Sequence, residues 1–307
     1  MDYRELQPHP ALAPYVKCYW ILQRTPGPRG SLPPRGGKAD DPRAADDASS
    51  AAPPAATPER VFPDGRNELI FHRGGRFELA GPDGAFRCQP CALLFGQLER
   101  HILLRPPTRI ETIGVRFHPA GAATLTGIAA GELTGRAHDL GELLGRPAVE
   151  LQEQVLEAAD APAALRRVDA FLTARLRAMR RCRPVRLGGA ELQDAAVGAA
   201  LAAIERSAGR LRVVELAREA GVGVRQLERR FRDRVGLSPK RLATIVRFQR
   251  AFGAIAAGRD ATLTEIAHDS GYFDQSHFIR DFRRLAGCSP SRFFRDEGEM
   301  GRLFVLR

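Results

Sequence analysis

Between Leu211 and Phe294 one pattern is written twice. The first copy runs Leu216-Ala217-Arg218-Glu219-Ala220-Gly221, a short turn, Leu227-Glu228-Arg229-Arg230-Phe231-Arg232, and Gly236-Leu237-Ser238-Pro239-Lys240-Arg241. The second runs Ile266-Ala267-His268-Asp269-Ser270-Gly271, a turn one residue longer, Phe278-Ile279-Arg280-Asp281-Phe282-Arg283, and Gly287-Cys288-Ser289-Pro290-Ser291-Arg292. From Leu227 and Phe278 onward, seven of sixteen aligned positions are identical at an offset of 51 residues, which marks a duplicated unit. Each copy reads as helix, Gly-containing turn, helix. That is the helix-turn-helix pattern, in which the second helix enters a major groove.

Helical phase separates core from surface within each second helix. Leu227 and Phe231 lie four apart and face inward, as do Phe278 and Phe282. Outside stand Arg225, Gln226, Glu228 and Arg229 in the first copy, and Gln275, Ser276, His277 and Arg280 in the second. Arg matches the guanine edge, Gln the adenine edge, and Glu the cytosine amino group. Glu228 also has a plainer reading, as a charge balancing Arg232 one turn on. Arg232, Lys240, Arg241, Arg247 and Arg283 suit phosphate contacts, which fix register without specifying sequence.

The terminators repeat too. Ser238-Pro239 and Ser289-Pro290 each place an N-cap before a proline at the first helical position, and Thr262 with Glu265 fits a capping box. Arg212 stands where Thr262 has its counterpart, leaving the start of the first unit less defined. Between the copies, Leu242, Ile245, Phe248, Phe252 and Ile255 form one apolar helical face.

The net charge of +11 is weak evidence for nucleic acid, because nearly all of it is Arg in a chain rich in Ala, Gly and Pro. Its distribution says more. Arg225 to Arg250 holds nine basic residues against Glu228 and Asp233, a concentration inside the first copy and its connector. Five scattered cysteines, an odd number, argue against a disulfide framework and for a reducing cytoplasm. No run of about 18 apolar residues suggests a membrane span, and the N-terminus lacks the apolar core of a secretory signal.

Ahead of the repeats, the pattern changes to short strands and turns. Tyr19-Trp20-Ile21-Leu22, Asn67 to Phe71, Phe77 to Ala80, Ala92 to Gly96, His101 to Leu104 and Glu111 to Phe117 are punctuated by Gly and Pro, as in a small barrel or sandwich. Residues 24–58 have the composition of a disordered insertion. Ala148 to Ala159 and Ala163 to Met179 are amphipathic helices, and Arg180 to Gly189 reads as a linker. The expected fold class is α+β. Residues 1–145 form a small β-barrel or sandwich carrying the 24–58 insertion, 146–189 a helical hairpin and linker, and 190–299 an all-α domain of two helix-turn-helix units with about seven helices.

Cys88-Gln89-Pro90-Cys91 has zinc-ligand spacing but no second pair, so a turn with two buried thiols is the better reading. No metal, cofactor or catalytic motif is expected. Tyr19, Trp20, Arg66 and Arg116 are weak candidates for lining an effector site in the first domain, with Tyr19 and Trp20 more simply read as core.

The region Leu211–Phe294 closely resembles the AraC/XylS-type transcriptional regulators of bacteria. The matching residues are Leu216-Ala217, Gly221, Leu227, Phe231, Gly236-Leu237-Ser238-Pro239, Ile266-Ala267, Gly271-Tyr272, Ser276, Phe278, Phe282, Gly287 and Ser289-Pro290. The resemblance covers about a third of the chain. It implies a seven-helix module whose two recognition helices enter successive major grooves, preceded by a sensing or dimerisation domain. That first domain more weakly resembles uncharacterised barrel-like domains that precede such modules, on Tyr19-Trp20, Phe62-Pro63-Asp64-Gly65, Gly114-Val115-Arg116-Phe117 and Pro119-Ala120-Gly121.

The expected function is a sequence-specific, non-enzymatic regulator of transcription acting on an operator in double-stranded DNA. Its further candidate partners are RNA polymerase, a small-molecule effector and a second protomer. The module is expected to bind DNA without residues 1–185. One alternative is a constitutive DNA-binding protein whose first domain only dimerises. A remoter one is a cysteine methyl-acceptor repair regulator, for which Cys18, Cys88 and Cys91 make no suitable cluster.

Overall fold

A computed structural model describes residues 1–25, 56–182, 194–257 and 261–296. Most of the 24–58 insertion and the 180–189 linker lie outside the described residues. Ten strands come first: β1 (Asp2–Leu6), β2 (Val16–Arg24), β3 (Glu59–Val61), β4 (Glu68–His72), β5 (Glu78–Ala80), β6 (Phe86–Cys88), β7 (Ala92–Phe95), β8 (Ile102–Arg105), β9 (Ile110–Phe117) and, after two short helices, β10 (Ala137–Asp139). They form two antiparallel sheets, of order β1-β2-β9-β4-β7-β10 and β3-β8-β5-β6.

Period-two alternation divides the large sheet into two buried faces. Tyr19, Ile21, Leu69, Phe71, Ile113 and Val115 face one way, into a core shared with helices. Those helices are α1 (Gly121–Thr126), α2 (Ala130–Leu133), α3 (Leu140–Leu144), α4 (Arg146–Leu156) and α5 (Ala161–Cys182). α4 and α5 pair with each other and cover β4 and β9, so the helical hairpin lies under the sheet. Trp20, Leu22, Ile70, Leu93 and Phe95 face the other way, towards the small sheet. Trp20 fits there because Gly114, its register partner on β9, has no side chain. A Cβ at Gly114 would stand 2.2 Å from the indole.

Among the described residues seven helices follow: α6 (Ala195–Arg206), α7 (Val213–Glu219), α8 (Val224–Arg234), α9 (Pro239–Ala256), α10 (Leu263–Asp269), α11 (Gln275–Ala286) and α12 (Pro290–Asp296). The caps are those the sequence specifies. Ser238 accepts from the Arg241 amide at 3.2 Å, and Thr262 and Glu265 close a reciprocal box. At Arg212 only the reciprocal half exists, its amide donating to Glu215 at 2.6 Å; a guanidinium has no acceptor to supply the rest. α9 touches α7, α8, α10 and α11, so its apolar face ties the two units together.

The two domains share a core. Phe62 follows β3 in the first domain, yet its ring lies among Phe248, Phe252 and Phe293 with centroids 6.2, 5.5 and 5.1 Å away. It is 2 % exposed. Hydrogen bonds surround this plug. Gln249 donates to the Pro63 carbonyl at 2.5 Å, the His101 amide to the Leu285 carbonyl at 2.7 Å, and Thr134 to the Gly236 carbonyl at 2.9 Å. Gly65, at φ +76°, brings the loop so close that a Cβ would lie 2.7 Å from Leu242.

Candidate nucleic-acid interface

α8 is held by Leu227 and Phe231, both fully buried. This fixes its roll and leaves Arg225, Gln226, Glu228, Arg229 and Arg232 exposed. Its N-cap is Gly223, with no side-chain cap, so the first-turn amides stay open for an acceptor. Glu228 and Arg232 form no ion pair among the described residues, nor does any carboxylate pair with Arg225, Arg229, Lys240, Arg280 or Arg283. Arg230, by contrast, is bound to Asp194 at 2.9 Å.

α11 is anchored by Phe278 and Phe282 and presents Ser276, Arg280 and Arg283 to solvent. Asp274 caps it, accepting from the His277 amide at 2.6 Å. Gln275 and His277 are only half-exposed and hold partners within the chain. The Thr264 hydroxyl lies 3.2 Å from Gln275 Oε1. His277 Nε2 stands 3.5 Å from Asp281, and its ring meets Tyr272 edge-on at 5.2 Å.

Two residues expected at phosphates are occupied inside the protein. Arg241 donates to the Glu99 carbonyl at 2.8 Å, strapping α9 to the first domain. Arg247 donates to the Gly209 carbonyl at 3.1 Å and lies over the Tyr272 ring. Their charges are engaged because α9 is the central packing helix and these two positions face neighbouring elements, whereas Lys240 and Arg250 on the same helix are exposed. Arg232, Lys240 and Arg283 remain exposed.

The weaker effector candidates divide in the same way. A cavity of about 70 Å³ lies between the sheets, with Trp20, Phe62, Arg66, His72 and Leu104 among its walls. Tyr19 is on the opposite face of β2, hydrogen-bonded to Asp169 at 2.5 Å, with burial pushing its phenol up. It belongs to the helix-covered core, not the cavity. Arg116 is fully buried, 2.9 Å from Glu68, 3.5 Å from Glu5 and 3.7 Å from Asp64. Burial opposes its charge, but Glu68 and Asp64 outweigh that, so it organises the wall from behind. His72 bridges Thr112 at 3.2 Å and Gln89 at 3.1 Å; burial pushes it down to about 4, keeping it neutral.

A wider cleft of about 510 Å³ separates the domains, and Lys17, Arg66, His118 and Arg234 contribute to it. His118 is pushed down by burial and by Arg66. Cys88 is exposed and Cys91 half-buried, which corrects the expectation of two buried thiols: β6 is the edge of the small sheet and one flank of Cys88 is open. Among the described residues no group of three or more His, Cys, Asp or Glu is arranged to hold a metal. No helix there is long and apolar enough to cross a membrane.

A duplicated helix-turn-helix joined by one central helix, with an outward basic recognition helix in the first unit, defines the class to which the second domain belongs. It is an AraC-type helix-turn-helix domain. Residues 216–296 match the helix-turn-helix domain family, and residues 47–139 match a domain of unknown function (DUF6597).

The chain is similar to the probable thc operon regulatory protein of Rhodococcus erythropolis, 33 % identical over 87 residues, covering 28 % of this chain and 26 % of that protein. It is also similar to the transcriptional regulator ExsA of Pseudomonas aeruginosa, 31 % identical over 78 residues, 25 % of this chain and 28 % of that one. It thus spans about a quarter of the length of these curated relatives. ToxT of Vibrio cholerae aligns with 78 % of this chain and 94 % of its own at 10 % identity, with a TM-score of 0.41.

Proposed function

We propose that the protein is a sequence-specific, cytoplasmic DNA-binding regulator of transcription that reads an asymmetric operator with two unlike helices. The observation that carries this reading is the contrast between the two outward surfaces. Arg225, Gln226, Glu228 and Arg229 on α8 face solvent with their polar ends unengaged by any described residue, while α11 offers Ser276 and Arg280. Gln275 and His277 stay candidates only for the atoms their internal partners leave open. Arg232, Lys240 and Arg283 serve phosphates. Because the two readers differ, a single chain recognises a site without internal symmetry.

The first domain is the input. Its small-molecule site is the apolar cavity between the sheets, with Arg66 shared between this cavity and the interdomain cleft. A second protomer and RNA polymerase are the further partners of the reading. Selection of bound sequences from random duplex DNA by the full chain tests it. One motif of two unequal parts is expected, with affinity falling steeply as salt rises. No enriched motif, or a flat salt response, overturns it.

A further inference from the structure

Phe273 is 90 % exposed, far more than any other large apolar side chain among the described residues. Its position has a cause in the duplication. In the first copy Val222 precedes the N-cap Gly223 and is partly buried against the core. The second copy has one residue more between its helices. Tyr272 takes the inward place there, 3 % exposed, in edge contact with Phe278 at 5.3 Å and with His277. Phe273, the residue immediately before the N-cap Asp274, is thereby turned outward. The inserted residue gives the turn both an anchor and a projecting ring, beside the end of the recognition helix that enters a groove first.

The surroundings select the partner. Phe273 shares a shallow depression with Arg210, His268, Asp269, Tyr272 and His277. Arg210 and His268 are exposed, and Arg280 lies further along α11. The nearby carboxylate of Asp274 is directed at the His277 amide. A protein-docking patch is built from contiguous apolar groups with polar residues at its rim. Here a single ring stands beside the Arg210 guanidinium, which is held on the Asp269 carbonyl, at the positive end of a twelve-residue helix, which suits a polyanion carrying a small apolar feature.

We propose that Phe273 determines specificity by packing against the C5-methyl group of a thymine in the major groove facing α11. The inference rests on the reading of α11 as a DNA reader. Thymine's methyl is the apolar mark on the major-groove edge, and an aromatic side chain is among its matches. With Gln275 and His277 partly held by Thr264, Asp281 and Tyr272, Phe273 joins Ser276 and Arg280 as what the second unit presents.

The test uses the full chain, wild type and Phe273→Ala, in parallel selections from random duplex DNA. Melting of both proteins confirms the fold, which an exposed side chain leaves unchanged. The wild-type motif is expected to hold a thymine at one fixed position that the variant no longer selects, with the part read by α8 preserved. Deoxyuridine at that position removes only the methyl. It should weaken wild-type binding roughly fourfold, the worth of one buried methyl, and leave the variant's affinity unchanged. Identical motifs from both proteins, or equal wild-type affinity for thymine and deoxyuridine sites, overturn the proposal. A variant with an intact motif but an altered oligomeric state also overturns it, assigning the ring to a protein contact. Failure of both proteins to enrich any motif overturns the DNA-reading function together with this refinement of it.

Discussion

Replacing Phe62 with alanine tests whether the two domains are one cooperative body. The ring is 2 % exposed and sits within 6.2 Å of three phenylalanine rings of the second domain. Phe→Ala in a packed core costs about 3–5 kcal/mol, combining lost transfer energy and the cavity left behind. The upper part of that range applies here, because Phe248, Phe252 and Phe293 are fixed by their own helices and cannot collapse into the space. Such a loss lowers the melting temperature by roughly 6–20 °C in a unit of this size. The assay is thermal unfolding of the full chain followed by circular dichroism and by near-ultraviolet signal. A single transition shifted down is expected for Phe62→Ala, with a smaller shift for Phe62→Leu. A loss below about 1 kcal/mol, on the scale of a surface substitution, refutes the shared core. Deletion of residues 1–185 removes this plug as well. The truncated module lacks Phe62, so it is expected to fold poorly and to lose DNA affinity in proportion to its unfolded fraction.

Four further outcomes follow from single side chains. His72 has its folded pKa depressed to about 4 by burial, so the unfolded chain binds the extra proton between pH 6.5 and 4. Stability is therefore present above pH 6.5 and falls by about 3 kcal/mol as pH drops to 4; urea unfolding across that window should show a flatter slope in His72→Gln. Arg116→Leu leaves Glu68 and Asp64 facing a wall without their cation and should cost about 3–5 kcal/mol, read in the same unfolding assay; a neutral result would mean those carboxylates are solvated. Lys240→Ala should weaken binding evenly across operator sequences and reduce the salt slope by about one, whereas Arg229→Ala should cost about 1–3 kcal/mol and relax one base position. A uniform loss for Arg229→Ala in gel-shift titrations would move that residue to the phosphates.

The helical domain was legible in the sequence because its determinants are local and repeated. Ser238, Thr262 and the prolines mark helix starts within one turn, and Leu227/Phe231 and Phe278/Phe282 set the roll of each reader. β2, β4 and β9 were legible as apolar runs of adequate length. β1 was not, since Asp2, Arg4 and Glu5 are exposed on an edge and carry no apolar period. β6 and β10 are three-residue strands fixed by pairing with β5 and β7, not by propensity. The roles of Arg241 and Arg247 were hidden for another reason. Both have the residue type and spacing of phosphate ligands, but which neighbour a long cation meets is decided by contacts 142 and 38 residues away. Phe62 stood out only as part of the Phe62-Pro63-Asp64-Gly65 motif, and its packing role was not legible because its ring partners begin 186 residues later in the chain. The extra turn residue of the second copy was visible by counting, though not that Tyr272 would turn inward and Phe273 outward.

The placement of Phe62 also bears on how the first domain would act on the second. The residue belongs to the wall of the cavity between the sheets and to the core of the DNA-binding domain at once. At about 70 Å³ the cavity is smaller than one shaped for a benzene ring, so an effector of any size must displace part of its wall. The sheet walls are cross-strand hydrogen-bonded and costly to move. Phe62 lies beyond the last residue of β3, ahead of a turn at Pro63-Asp64-Gly65 that is held by the Gln249 and Gln97 side chains instead of by β pairing. An effector that fits only beside a shifted Phe62 binds that state better than the plugged one. Such a difference in affinity is the sole means by which a ligand moves an equilibrium. A close-packed aromatic cluster does not yield continuously, so on the proposed reading such an effector would change the pose in one step, with α9, which touches α8 and α11, carrying it to both readers.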